Sequence, residues 1–181
     1  QHILIQSARR NDPGHFSWQQ NGAGRWTSDF YGFGTIDAGA AVSLAQNWSG
    51  VEAYLNEDLP VQSVNQAIPD GTGAPFSYGA PVVRTYTFNA SQIQQLEHVE
   101  LQFNVDHAYS GDLQVILQSP SGTRSRLTDV TNAGPVNYND TSGRLVMSNQ
   151  FWGENPNGTW QIEVRDGWQT ETGNWLDWQL K

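Results

Sequence analysis

Apolar and polar residues alternate through much of the second half of the chain. Val99, Leu101, Phe103 and Val105 share one parity, and His98, Glu100, Gln102 and Asn104 take the other. That period of two predicts a strand with one face in a core. Leu113, Val115 and Leu117 share one face of the next strand. Thr159 to Val164 and Leu176 to Leu180 repeat the pattern, which puts Trp160 and Trp178 in register with their core faces and Trp168 and Trp175 out of register, at the surface. Val82 to Phe88 and Arg144 to Ser148 complete a set of at least six strands, separated by turn signals at Ser121-Gly122, Asn157-Gly158 and Asp166-Gly167. Short strands with frequent glycine predict a mainly β fold, a jelly-roll β-sandwich.

The first fifty residues obey another pattern. His2 to Arg9 reads as a helix closed by Asn11, Asp12, Pro13 and Gly14. After a loop holding Gly22 and Gly24, the alanine-rich run Asp37 to Gln46 predicts a second helix, with the Asp37 carboxylate at its N-terminal end. Two short helices cannot bury a core unaided, so residues 1–48 read as a helical arm belonging to a larger domain. Pro60, Pro69, Pro75 and Pro81 punctuate the next stretch. Residues 49–67 are expected to be a linker and residues 68–181 the β domain.

Composition narrows the partners. The net charge is −9, with one lysine, Lys181, and eight scattered arginines. No basic stripe exists to neutralise phosphates, which argues against nucleic acid. No apolar run is long enough for a membrane-spanning helix. The absence of cysteine removes disulfides and thiolate metal sites and suits a secreted bacterial protein that relies on packing and ions. Gln1 is not a natural start residue, so a longer parent chain is expected.

Several residues invite a chemical reading. Ser119-Pro120-Ser121-Gly122-Thr123 ends an apolar run, where a nucleophile would be noticed. The G-x-S-x-G form and a subsequent helix are both missing, however, and proline, glycine and hydroxyl side chains together account for a tight turn. The four histidines show no zinc spacing. His107 sits between Asp106 and Asp112 and is expected to bond a loop carboxylate or backbone. Asp106 and Asp112 bracket one loop, and Asp166 and Glu171 bracket another. Oxygen-rich, glycine-containing loops are what calcium prefers, so these four residues are the candidate metal ligands and calcium the candidate cofactor, against a reading as plain turn formers. Trp168 and Trp175, if exposed, would offer rings to a glycan.

The β segments together resemble the P domain, also called Homo B, of kexin- and furin-like subtilisin-family proteases. Five pieces occur in family order: Ile68-Pro69-Asp70, the loop from Val105 to Leu113 ending in Gly111-Asp112-Leu113, the corner from Leu117 to Thr123, Asn157-Gly158-Thr159-Trp160, and the closing element from Asp166 to Leu180. The run from Tyr31 to Val42 resembles the Y-G-F-G-x-I-D-A segment that ends the catalytic domain of these enzymes, and His2 to Arg9 resembles the helix before it. The family often has aspartate where Glu171 stands. The resemblance implies the tail of a truncated α/β subtilisin-type domain joined to a P domain. Its implied role is to dock on, stabilise and regulate a subtilisin-type catalytic domain of the same polypeptide, in a secreted serine endopeptidase. No position matches the triad motifs, so no catalytic residue is assigned and the chain alone is expected to be inactive. Two alternatives differ in class: a jelly-roll binding module for glycans or proteins, and a hydrolase using His107 with Asp106 or Asp112.

Overall fold

The computed structural model describes residues 1–73, 77–131 and 143–181; Pro75, expected in the connecting segment, lies outside them. The arm opens with α1 (His2–Ser7) and closes with α2 (Ala38–Ala45), which pack on each other. Asp37 caps α2 as expected, its side chain accepting from Ala40 N at 2.9 Å. Between the helices lies a two-strand hairpin of β1 (Gln19–Gln20) and β2 (Trp26–Thr27). Arg9 and Thr35 exchange backbone bonds of 3.0 and 2.9 Å. Their neighbour Gly34 sits at φ +112° with no room for a Cβ beside the Arg9 carbonyl, which explains the glycine there. Neither helix buries a residue in this chain.

Among the described residues, eight strands build a two-sheet sandwich: β3 (Gln62–Ile68), β4 (Val82–Phe88), β5 (Val99–His107), β6 (Leu113–Gln118), β7 (Arg124–Thr128), β8 (Arg144–Ser148), β9 (Gly158–Asp166) and β10 (Gly173–Leu180). One sheet has the order β3-β10-β5-β8 and the other β4-β9-β6-β7, with every pairing antiparallel. β5 alternates buried and partly exposed residues as its sequence requires. Leu101, Phe103 and Val105 meet Leu113, Val115, Leu117, Trp160, Ile162 and Val164 from the facing sheet in one continuous core.

Three features depart from the sequence expectation. β3 is an edge strand inside the segment read as a linker. Its exposed side chains outnumber its buried ones, so the apolar signal is faint. β7 comes directly after the serine corner, and its Arg-Ser-Arg opening masks it in the sequence. Trp175 is fully buried, not exposed. The ladder on both sides of β10 shifts register between Trp175 and Asp177, leaving Leu176 unpaired. This bulge inserts one residue into the alternation and turns both Trp175 and Trp178 into the core, while Leu176 is only half-buried. Trp168 is half-buried as well.

Candidate functional site

The serine corner is a turn, and it grips the arm. Ser119 N bonds Thr123 O at 2.9 Å, Gly122 N bonds Ser119 O at 2.9 Å, and Gly122 takes φ +92°. The hydroxyls point at a carboxylate. Ser121 Oγ donates to Glu154 Oε2 at 2.7 Å, and Thr123 Oγ1 donates to Glu154 Oε1. Ser119 Oγ and Ser121 Oγ are 2.8 Å apart. A nucleophilic serine needs a base that takes its proton, and a buried carboxylate that accepts two hydroxyls at once is a structural anchor instead.

Glu154 is 3 % exposed. A further donor comes from the arm: Gly22 N lies 2.8 Å from Glu154 Oε1 and 3.1 Å from Thr123 Oγ1. Burying a carboxylate is tolerable only when donors replace water, and here three neutral donors do so. The preceding residue makes the approach possible. Asn21 Oδ1 accepts from Ala23 N (3.1 Å) and Arg25 N (2.9 Å), folding the turn on itself. Its Nδ2 donates to Gln150 O and Trp152 O, each at 2.9 Å. A Cβ at Gly22 would collide with the Ser121 side chain, so only glycine permits this contact.

Further bonds extend the seam. Gln19 Nε2 reaches Gln150 Oε1 at 3.1 Å, Gln150 Nε2 donates to Asp29 Oδ1 at 2.7 Å, and Arg126 pairs with Asp29 at 3.4 Å and with Asp129 at 2.6 Å. At the far end His2 Nε2 meets Glu97 at 2.9 Å while its ring stands edge-on to Trp152, centroids 4.7 Å apart. The arm therefore docks on the sandwich through a largely polar interface centred on Glu154. Sequence reasoning does not single out Glu154, Asn21 or Gly22. The one signal for them is a lone carboxylate directly after Phe151-Trp152-Gly153 with no basic neighbour in sequence.

His107 forms a second cluster, at the opposite end of the corner strand. It is 1 % exposed, and its Nε2 lies 3.1 Å from Asp166 Oδ2, with both side chains fully buried. Tyr109 N–H donates to Nδ1 at 3.2 Å, so a neutral ring carries its proton on Nε2 and donates to Asp166. The expected carboxylate partner is thus Asp166, not Asp106 or Asp112. Burial pulls the His107 pKa down, but the Asp166 hydrogen bond and the charges of Asp166 and Asp112 outweigh it, leaving it above the usual histidine value. Asp112 is also raised, chiefly by burial and then by the Asp166 charge.

The four expected calcium ligands are not gathered together. The charges of Asp166 and Glu171 both act on Asp112. Asp106 is exposed on the opposite face of β5 from buried His107. Both Asp166 oxygens are engaged, Oδ2 by His107 and Oδ1 by Trp168 N at 2.9 Å. Among the described residues no group of three or more histidine, aspartate or glutamate side chains is arranged to hold a metal ion.

Comparison with known proteins matches this architecture. The proprotein convertase P-domain model matches residues 96–181. Neuroendocrine convertase 2 of Drosophila melanogaster is 30% identical over 99% of this chain, which spans 28% of that protein. Human proprotein convertase subtilisin/kexin type 4 is 32% identical over 96% of the chain and 22% of its own length, and human type 6 is 34% identical over 92% and 17%. The chain therefore spans well under a third of these relatives, and the alignments take in the arm as well as the sandwich. The crystal structure of a serine protease of Aeromonas sobria superposes with a TM-score of 0.75 at 26% identity, covering 99% of this chain and 38% of that one. With its five motifs in order and eight sandwich strands among the described residues, the chain carries the P domain of the kexin- and furin-like subtilisin-family proteases.

Proposed function

We propose that this P domain docks on and stabilises a subtilisin-type catalytic domain of the same polypeptide, in a secreted serine endopeptidase, and that the arm of residues 1–48 is the part of that domain it grips. The observation that carries the reading is the shared carboxylate: Glu154 satisfies the serine corner of the sandwich and the Asn21-Gly22 turn of the arm at once. A domain that binds only the folded form of its neighbour raises that neighbour's stability by its docking free energy. The seam also fixes an orientation, because the Gly22 amide must reach Glu154 and Thr123 at a place where a Cβ would collide with Ser121. Chemistry lies outside this chain in the reading. Ser121 is bonded to Glu154 and buried His107 to Asp166, so the two do not form a nucleophile–base pair. No step passes through calcium. The glycan alternative loses one of its two rings, since Trp175 is buried in the core.

The test compares this chain with the product of the whole reading frame that encodes it. The chain alone is expected to hydrolyse no peptide substrate. The longer product is expected to hydrolyse one, in a manner blocked by a serine-directed inhibitor, and to lose both activity and melting temperature on Gly22→Ala. Inhibitor-sensitive cleavage by the chain alone would overturn the reading. So would a longer product whose activity and melting temperature are indifferent to Gly22→Ala.

A further inference from the structure

A cavity of about 510 Å³ lies between the arm and the sandwich. Its walls include Trp48 from the arm and Phe88, Ile93 and Trp152 from the sandwich, with His2 and Glu97 at the rim. The segment joining α2 to β3 also lines it. Val51, Tyr54 and Leu55 there are 59, 67 and 54 % exposed, although each borders the cavity. Residues 49–61 have no regular secondary structure. The segment is tethered at its far end, where Leu59 is buried, Leu59 N bonds Leu180 O at 2.9 Å and Glu57 Oε1 accepts from Gln92 N at 2.7 Å. Between the tethers, the side-chain bonds of Tyr54 and Asn56 stay within the segment itself.

We infer that the segment from Gly50 to Asn56 is a strap that closes over this cavity, seating Tyr54 and Leu55 against Trp48, Ile93 and Trp152. Three observations combine. The apolar side chains lie beside a cleft of the size that takes a small ligand, whose mixed walls offer the apolar surfaces of Trp48, Phe88, Ile93 and Trp152 among polar groups. Moving them from water to that wall is favourable in proportion to the apolar area removed. Tethering at both ends makes the closure intramolecular, so a free ligand at ordinary concentration competes poorly with it. Glycine at position 50, with φ +106°, gives the strap a pivot next to Trp48. Closed, the strap joins a residue of the arm to residues of the sandwich and adds apolar contact to a seam that is largely polar apart from the rings around Trp152. Neither Glu154 nor His107 lines the cavity, so the strap's role is mechanical: it sets how firmly the arm is held.

The cysteine-free sequence supplies a clean test. A Leu55→Cys, Ile93→Cys double variant of the chain is exposed to a mild oxidant, with Leu55→Cys, Val83→Cys as control. Val83 lies on the strand that ends at Phe88, roughly 16 Å along it from the cavity. A disulfide needs Cα atoms within about 7 Å. The 55–93 pair is expected to cross-link within the molecule at least about tenfold faster than the control; equal rates would overturn the strap. A second measurement needs no cysteine. Cutting after Glu52 by a glutamate-specific protease is expected to rise about tenfold in a Tyr54→Ser, Leu55→Ser variant. If the native chain is cut as fast as that variant, the strap does not close.

Discussion

A single carboxylate carries most of what distinguishes this interface. Glu154 receives Ser121 and Thr123 hydroxyls and the Gly22 amide while 3 % exposed. Removing the acceptor leaves those donors in a site with little water, and each unmet buried donor costs about 1–3 kcal/mol, with less than full additivity. Glu154→Ala is therefore expected to destabilise the chain by about 3 kcal/mol, which for a chain of this size lowers the melting temperature by roughly 6–12 °C. Ser121→Ala removes one donor from an acceptor that keeps two others, and a change below about 1 kcal/mol is expected. Thermal denaturation of the two variants separates anchor from nucleophile. Comparable losses from both, or a negligible loss from Glu154→Ala, would show that the carboxylate does not organise the corner.

At the level of elements, much is legible in the sequence, and the failures have identifiable physical causes. β4 and β8 occupy the ranges expected of them, and Asp37 caps the second helix because a carboxylate there meets free amides. Period-two reasoning assumes that a strand keeps its phase. β10 does not: Leu176 stands outside the ladder, so the residues before it take one phase and those after it the other. Counting back from Leu180 through Trp178 therefore places Leu176 inside and Trp175 outside, the reverse of what the bulge produces. β3 is faint for a different reason, since an edge strand with one outer face needs few apolar residues. The site is half legible. The serine corner is visible as a turn, but its purpose depends on Glu154 and Gly22, 33 residues later and 99 earlier, and no local pattern links them. The bulge makes a sharp prediction. Deleting Leu176 restores plain alternation and keeps Trp175, Trp178 and Leu180 on the core face, so the variant is expected to fold and to unfold cooperatively. Inserting one alanine after Asp177 turns Trp178 outward and is expected to abolish cooperative unfolding. Circular dichroism melts decide it, and a deletion variant that fails to fold would mean that the bend itself, not the phase, is what β10 needs.

Across the whole molecule, the two sheets are clasped at one end by charge. His107 belongs to β5 in one sheet, and Asp166 ends β9 in the other. Asp112 leads into β6 beside them, and Glu171 adds negative charge from the β9–β10 loop. The pKa of His107 is raised in the fold, so protons bind the folded state more tightly than the unfolded chain. Its contribution is fully present below the ordinary histidine value of 6.5 and is lost as pH rises through the raised value. Asp112 acts in the same direction at lower pH. Its raised pKa means that stability declines as pH climbs from the ordinary aspartate value of 3.8 through the raised one, because the fold must then hold a half-buried negative charge near Asp166. Both groups therefore make the sandwich more stable in mild acid than above neutrality. The melting temperature is expected to fall as pH rises from about 6 to about 8. In His107→Gln, whose amide can still donate to Asp166 but does not titrate, that slope is expected to flatten. An unchanged slope in the variant would remove the clasp as the source of the pH dependence.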